Sequence, residues 1–519
     1  MIKDIYSDAD IVSAWLGPGN PGEIKSVAEA IIELAWQTDF KLARHPPATF
    51  NSFLQLPYFL RIWIIQEIVV SRAFRLLWGD FEIPGDLFTQ GLENALWNAM
   101  NKMDLETRGP HLDLQRLAWI FWRTNDEPDD LLTLIRTTKG HQATDGRDKI
   151  FALIGLSNDN NIVPDYSQTK ASLFKEFTLQ EIMRSGLKIL SYAKVIDPAQ
   201  DMKPFWVPRW HSSYANTEPL VHHNFNASNG HGMIRATTFD SQLLVLKGIH
   251  IDEVKDVNRP FAYGEGGISR AILSCFEVVT RNEDLFQKKH GSELIRPFLR
   301  TMVGNRGFYP RYSIDDMPEH LRDETYIDAF IHMAISWLFT RLRDVEDNRV
   351  TCTSLLFLLR AAMDASPSKT TGTPLFETDG HVEGLKAWFE NIFPRNSEQE
   401  SAFFNIFKSI LKRPRNQVRS KKWGFIEGFN ACAGGRRFFM TNTGYIGLGP
   451  SCMEPGDSVC ILFGGTTPYV IRPTSTVDEY LFLGESYMHS IMEGKAITIH
   501  KAQEIPEEQQ LMEKWFRLI

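Results

Sequence analysis

The run 56–70 is apolar at nearly every position, and only Arg61, Gln66 and Glu67 interrupt it with charge or amide. A helix apolar on all sides is normally buried, and a buried charge needs a partner or a shifted pKa. Trp63 stands four residues before Glu67, so on a helix the indole and the carboxylate share a face. An acid against an indole is partly desolvated, which raises its pKa and suits it to acid, base or electrostatic work. The competing reading is a core helix in which Glu67 pairs with an arginine elsewhere.

Other constellations reduce to structure. Gly444, Gly447 and Gly449 stand in the order GxxGxG among strand-like segments, which is not the strand-to-helix setting of a dinucleotide turn; turns and close backbone approach account for them. His211, His222, His223 and His231 come without helical HxxxH spacing or a cysteine partner, so they read as a polar loop and no metal is expected. Asn226-Ala227-Ser228 has the pattern of a glycosylation sequon, read as a surface loop. Asp145 and Asp148 open a helix and suit its first amide groups. The chain has no GxSxG elbow and no cysteine in an activating sequence setting, so serine or cysteine hydrolysis is not indicated.

The elements around the run 56–70 alternate in type. Residues 1–8 read as helix, 11–16 as a short strand closed by a Gly/Pro-rich loop at 17–22, 23–36 as helix, 58–71 as one helix and 74–78 as a strand, a pattern of layered α/β structure. Residues 85–190 carry helical stripes, a strand is predicted over 242–248, and helix returns over 268–415 with a small polar linker at 366–374. Short strands are predicted over 437–441, 445–448, 458–463, 469–472 and 480–483, spaced as in a meander. The expected fold is therefore an α/β region, then a mainly helical region, then a C-terminal β-rich region. The boundaries are an α/β region over 1–110, a helical region over 111–200, a β-rich region joining 201–260 to 420–500, a helical insertion over 261–419 and a C-terminal helix over 501–519.

Composition bounds the rest. With 519 residues, 43% of them hydrophobic, the chain can bury a large core. The formal charge of -8 and the lack of a basic block argue against a nucleic-acid partner. Five cysteines without CxxC spacing fit a reducing compartment and free thiols. The first residues have no apolar run, and no apolar stretch reaches the ~18 residues of a membrane span, so the expected location is cytoplasmic.

Several blocks, in order, resemble the fungal heterokaryon-incompatibility (HET) family. Ile5-Tyr6 with Ala9, Val12 and Trp15-Leu16-Gly17 resembles IYxxAxxVxxWLG; Arg61, Trp63, Gln66 and Glu67 resemble RxWxxQE. The segment 145–156 followed by Pro164-Asp165-Tyr166-Ser167 resembles DPRDKIFALLGL and PDYS. Phe205-Trp206-Val207-Pro208-Arg209-Trp210 is similar to a further tryptophan-rich block, and glycine-punctuated segments over 437–489 resemble the family's C-terminal β region. The likeness covers 1–210 and 436–495.

The resemblance implies a TIR-like, flavodoxin-like α/β core. Here that core would be an incomplete fragment, since the chain begins after the family's SYxWG and WIDAxCINQ blocks. It implies a role in self/non-self recognition and programmed cell death, through protein partners or self-association. Some TIR domains cleave NAD at the nicotinamide–ribose bond with a glutamate in a WxxxE-like helix. The resemblance therefore casts Glu67 as the catalytic residue of an NAD glycohydrolase, with Trp63, Arg61 and Trp15 as substrate-binding residues, NAD as substrate and no bound cofactor. A non-enzymatic signalling or recognition scaffold and an inactive HET remnant are the alternatives.

Overall fold

The computed structural model describes residues 2–37, 48–101, 117, 130–158, 162–195, 197–199, 201, 203–210, 219–220, 225–235, 242–259, 267–291, 293–305, 327, 330, 334, 358, 425–426, 428–501 and 513–519. They form two compact units, Met1–Glu181 with Arg209–Ala215, and Ile182–Pro208 with Asn216–Ile519.

The first unit is α/β. After helix α1 (Ile2–Asp8), strand β1 (Val12–Gly17) runs parallel to β2 (Phe74–Trp78), and β3 (Phe81–Pro84) returns antiparallel to β2. Between β1 and β2 lie α2 (Pro21–Ala35), α3 (Ala48–Leu54), α4 (Pro57–Leu60) and α5 (Ile64–Val69); α6 (Gly85–Asn101) follows β3. Gly19 and Gly79 take positive φ in the turns beside β1 and β2. A Cβ on Gly79 would lie 2.6 Å from the Pro18 carbonyl oxygen, which explains why glycine stands there. Asn20 caps α2 by accepting from Gly22 N at 2.9 Å, and the helix buries Ile24, Val27, Ile31 and Leu34 at helical spacing. Strand β1 alternates: Val12, Ala14 and Leu16 are buried, Ser13 and Trp15 exposed. Phe53 and Phe59 pack on Phe88, and Phe53 also packs on Trp78, giving the unit an aromatic centre.

The predicted single helix over 58–71 is two short ones. Arg61 adopts an extended backbone (ψ 139°), because the backbone here pairs with a distant segment: Gln142 N donates to Leu60 O at 2.5 Å and Ile62 N to Gln142 O at 2.9 Å. Helices α7 (Leu131–Thr137), α8 (Asp148–Ile154) and α9 (Lys170–Ser185) follow. Turns and irregular backbone separate these helices over 138–147, 155–158 and 162–169, and α8 packs on α5.

The second unit is β-rich. Strands β4 (Leu244–Val257), β7 (Ser458–Leu462), β8 (Tyr469–Pro473), β9 (Glu479–Glu485) and β11 (Glu513–Leu518) close into a ring, because β4 pairs with both β7 and β11. In β11 only Phe516 and Leu518 are buried, registered against Leu246 and Leu244, so this face points into the ring. The far half of β4 carries a side sheet of β5 (Arg436–Thr441), β6 (Ile446–Pro450) and β10 (Tyr487–Met488). Ile249, Ile461, Val470 and Leu483, on the ring's outer face, share a core with Phe439 and Met488. Helices α10 (Gly267–Arg281), α11 (Glu283–His290) and α12 (Ile295–Met302) contribute Phe276, Phe286 and Phe298 to another core with Phe438 and Leu448.

The glycines of 444–449 behave as read. Gly444 has φ 89°, and Cβ atoms on Gly447 and Gly449 would meet Tyr487 O at 2.3 Å and Met453 Sδ at 2.8 Å. The C-terminal helix expected over 501–519 is a correction: the helix α13 spans Lys495–Lys501, and the described tail is strand β11. Phe516 and Leu518 face the ring interior while Arg517 is exposed, the period of a strand. Most of the expected helical insertion over 261–419 lies outside the described residues.

Candidate functional site

Glu67 sits in α5 with its side chain 13% exposed. Its Oε2 accepts a hydrogen bond from Tyr58 Oη at 3.0 Å, and its Oε1 lies 4.0 Å from Arg61 Nη2. The Arg61 side chain is 56% exposed; at this distance and exposure the ion pair is a weak one. Burial, then the Glu67 charge, pushes the Tyr58 hydroxyl far above its ordinary range. Burial and Glu67 also raise Tyr6 on α1. The Tyr58 phenol thus donates to the carboxylate, and Tyr6 lies within its electrostatic reach. The break at Arg61 creates this arrangement: Tyr58 belongs to one helix and Glu67 to the next, so nine residues of separation fold back into contact.

Trp63 occupies the N-cap position of α5, and its backbone carbonyl accepts from Glu67 N at 3.3 Å. The indole is engaged elsewhere, its Nε1 donating to Asp148 Oδ2 at 3.1 Å. Asp148 Oδ1 accepts from Tyr166 Oη at 2.7 Å. Burial first, and this bond second, raise Tyr166 to about 12. Arg147 lies over the Tyr166 ring at 5.2 Å, donates to Tyr166 O at 2.6 Å and Gln168 O at 2.8 Å, and pairs with Asp145. That pairing holds Asp145 at about 2. Asp145 also accepts from Arg147 N at 2.9 Å, whereas Asp148 serves distant aromatic side chains instead of its own helix start.

Lys149 is buried. Its Nζ donates to Lys139 O at 3.2 Å and to His141 O; burial lowers it to about 8. Gln66 is buried against Gly155, where a Cβ would lie 2.8 Å from Gln66 Nε2. The structure therefore joins the 61–67 block to the 145–156 block and to Tyr166 by side-chain contacts. Trp15 lies apart from these bonds, 57% exposed on the open face of the sheet, where Arg75 Nε donates to Ser13 Oγ and Nη1 pairs with Glu82.

Sequence reasoning missed Tyr58, Tyr6, Gln142, Lys149 and Tyr166 as members of this cluster. Reading 58–71 as one helix hid the reversal that brings Tyr58 to Glu67. A buried lysine among apolar residues, Lys149-Ile150-Phe151-Ala152-Leu153, is the signal that could have exposed the second half. Among the described residues no group of three or more potential ligands could hold a metal ion. His231 Nδ1 lies 2.9 Å from Ser228 O, with its ring stacked on Phe463.

Within the second unit, residues 412–505 match the family model described as the Het-6 beta-barrel domain. The chain is a relative of the fungal heterokaryon-incompatibility proteins. In particular it is 22% identical, over 95% of its own length and 78% of the relative's, to heterokaryon incompatibility protein 6, OR allele, of Neurospora crassa. No solved structure matches. Among the described residues no helix is long and apolar enough to cross a membrane.

Proposed function

We propose that this chain acts in heterokaryon incompatibility, as a cytoplasmic factor in self/non-self recognition that drives programmed cell death through protein partners or self-association. The likeness to an incompatibility protein along 95% of the chain supports this reading. The effector step we assign to the first unit, read as TIR-like, is cleavage of NAD at the nicotinamide–ribose bond with Glu67 as the catalytic residue.

The observation that carries the enzymatic part is the asymmetry of Glu67. One carboxylate oxygen is pinned by Tyr58, and the other, among the described residues, meets the slack Arg61 contact at 4.0 Å. As the glycosidic bond breaks, positive charge develops on the ribosyl group, and water supplies the oxygen that replaces nicotinamide. A fixed carboxylate stabilises that charge or orients a ribose hydroxyl, while the exposed Arg61 guanidinium suits a phosphate. The purified full chain is expected to release nicotinamide from NAD, and Glu67→Gln to lower release at least a hundredfold. Undiminished release by a folded Glu67→Gln protein refutes this assignment.

A recognition scaffold without catalysis is the second reading, and the Trp63–Asp148 bond favours it. The indole that the resemblance casts as substrate-binding is occupied in joining two sequence blocks. On that reading Glu67→Gln leaves the cell-death phenotype of the expressed protein intact.

A further inference from the structure

Asp148 and Lys149 are neighbours in sequence whose side chains reach two different segments, both leading to Glu67. Asp148 holds the Trp63 indole, at the residue whose carbonyl accepts from Glu67 N. Lys149 reaches the other way, to the carbonyls of Lys139 and His141. The next residue, Gln142, pairs through its backbone with Leu60 and Ile62 on either side of Arg61. That pairing separates α4 from α5 and so brings Tyr58 to Glu67. A buried ammonium ion is costly unless its donors are satisfied. Lys149 places two of its three donors on the carbonyls of this turn, so it holds the turn in one geometry.

We propose that Asp148 and Lys149 are positioning residues for Glu67, forming a two-point clamp that sets the helix break at Arg61 and the start of α5. Their role toward catalysis rests on the reading of Glu67 given above; the clamp itself does not. The two arms are separable. Lys149→Met removes the turn's ammonium while keeping an unbranched apolar stem, and Trp63→Phe removes the indole donor while keeping a ring.

The test is amide hydrogen exchange on the full chain, with nicotinamide release measured in parallel. In Lys149→Met, exchange at Ile62 and Gln142 is expected to rise about tenfold or more, the scale of a lost hydrogen bond. Protection in β1 and β2 stays as in the wild type. Lys149→Arg, which retains donors, restores part of the protection. In Trp63→Phe the rise is confined to 63–69, with the 139–142 turn unchanged. Where the wild type releases nicotinamide, both variants lower kcat more than they raise KM. If the wild type releases none, the catalytic reading of Glu67 falls and exchange alone decides the clamp. Wild-type protection at Ile62 in a folded Lys149→Met protein overturns the proposal. Loss of protection throughout β1 and β2 in both variants overturns it as well, since both residues would then be general core supports.

Discussion

Arg436 and Glu485 are 3% and 4% exposed and 2.6 Å apart. Glu485 Oε1 also accepts from Leu220 N at 2.6 Å, and Arg436 Nη1 donates to Cys432 O at 2.8 Å. A pair this deeply buried contributes little net stability, but removing one partner strands the other in a medium that cannot solvate it. Arg436→Met is therefore expected to lower unfolding stability by about 3–5 kcal/mol, read from denaturant midpoints of the full chain. Adding Glu485→Leu should recover part of that loss; a double variant worse than the single one would contradict it. Neither residue could be singled out from sequence, because their partnership spans 49 positions and each looks like an ordinary strand-end charge. Glu67 was legible for the opposite reason: it breaks an apolar run, and that contrast is local. Its partner Tyr58 was not, because the contact exists only where the helix is broken.

At the scale of elements, the strands of the second unit were legible because Gly, Pro and Asp punctuate them. The predicted strands over 437–441, 458–463 and 469–472 correspond to β5, β7 and β8 within about a residue at most ends. The helix break at Arg61 was illegible, since long-range backbone pairing with Gln142 overrides local preference. Strand β11 was misread because adjacent Trp515 and Phe516 blur its alternation; only Phe516 of the two is buried, with Trp515 41% exposed. Helix α11 ends at a titratable contact that sequence also hides. His290 and His489 have ring centroids 5.6 Å apart, and His290 Nε2 meets Gly444 O at 3.1 Å. Burial, opposed for His290 by that carbonyl, lowers His290 to about 4. For His489, burial and then the neighbouring His290 lower it to about 3. Burial thus holds both rings below the ordinary imidazole value of about 6.5, so between roughly pH 6.5 and 4 the unfolded chain binds more protons and stability falls as pH falls. His489→Gln is expected to flatten the loss over that window, measured as the pH dependence of the denaturant midpoint. An unchanged slope would show that these rings stay solvated.

For the molecule as a whole, the alternation of α/β and β-rich structure was legible from composition and punctuation. The ring was not, because closure depends on which strands meet. Strand β11 is the closing element: it pairs antiparallel with β4 and parallel with β9 through Arg517 and Leu518. Those two strands are far apart in sequence, and no local turn joins either to β11. Removing residues 513–519 would leave the outer backbone groups of β4 and β9 unpaired and uncover Leu244, Leu246 and Tyr480. An open, apolar edge of that kind loses ring stability and recruits other strands. The variant lacking 513–519 is expected to lose cooperative unfolding of the second unit and to self-associate at micromolar concentration, by scattering and amide exchange. Exchange in β1 and β2 of the first unit should remain as in the full chain, because those strands take their hydrogen bonds from each other and from β3. Phe516→Ser, which keeps the backbone of β11 but places a hydroxyl inside the ring, separates the two contributions: it should weaken the second unit without the self-association that unpaired edges cause. Equal self-association in both variants would assign the effect to core loss and not to the edges.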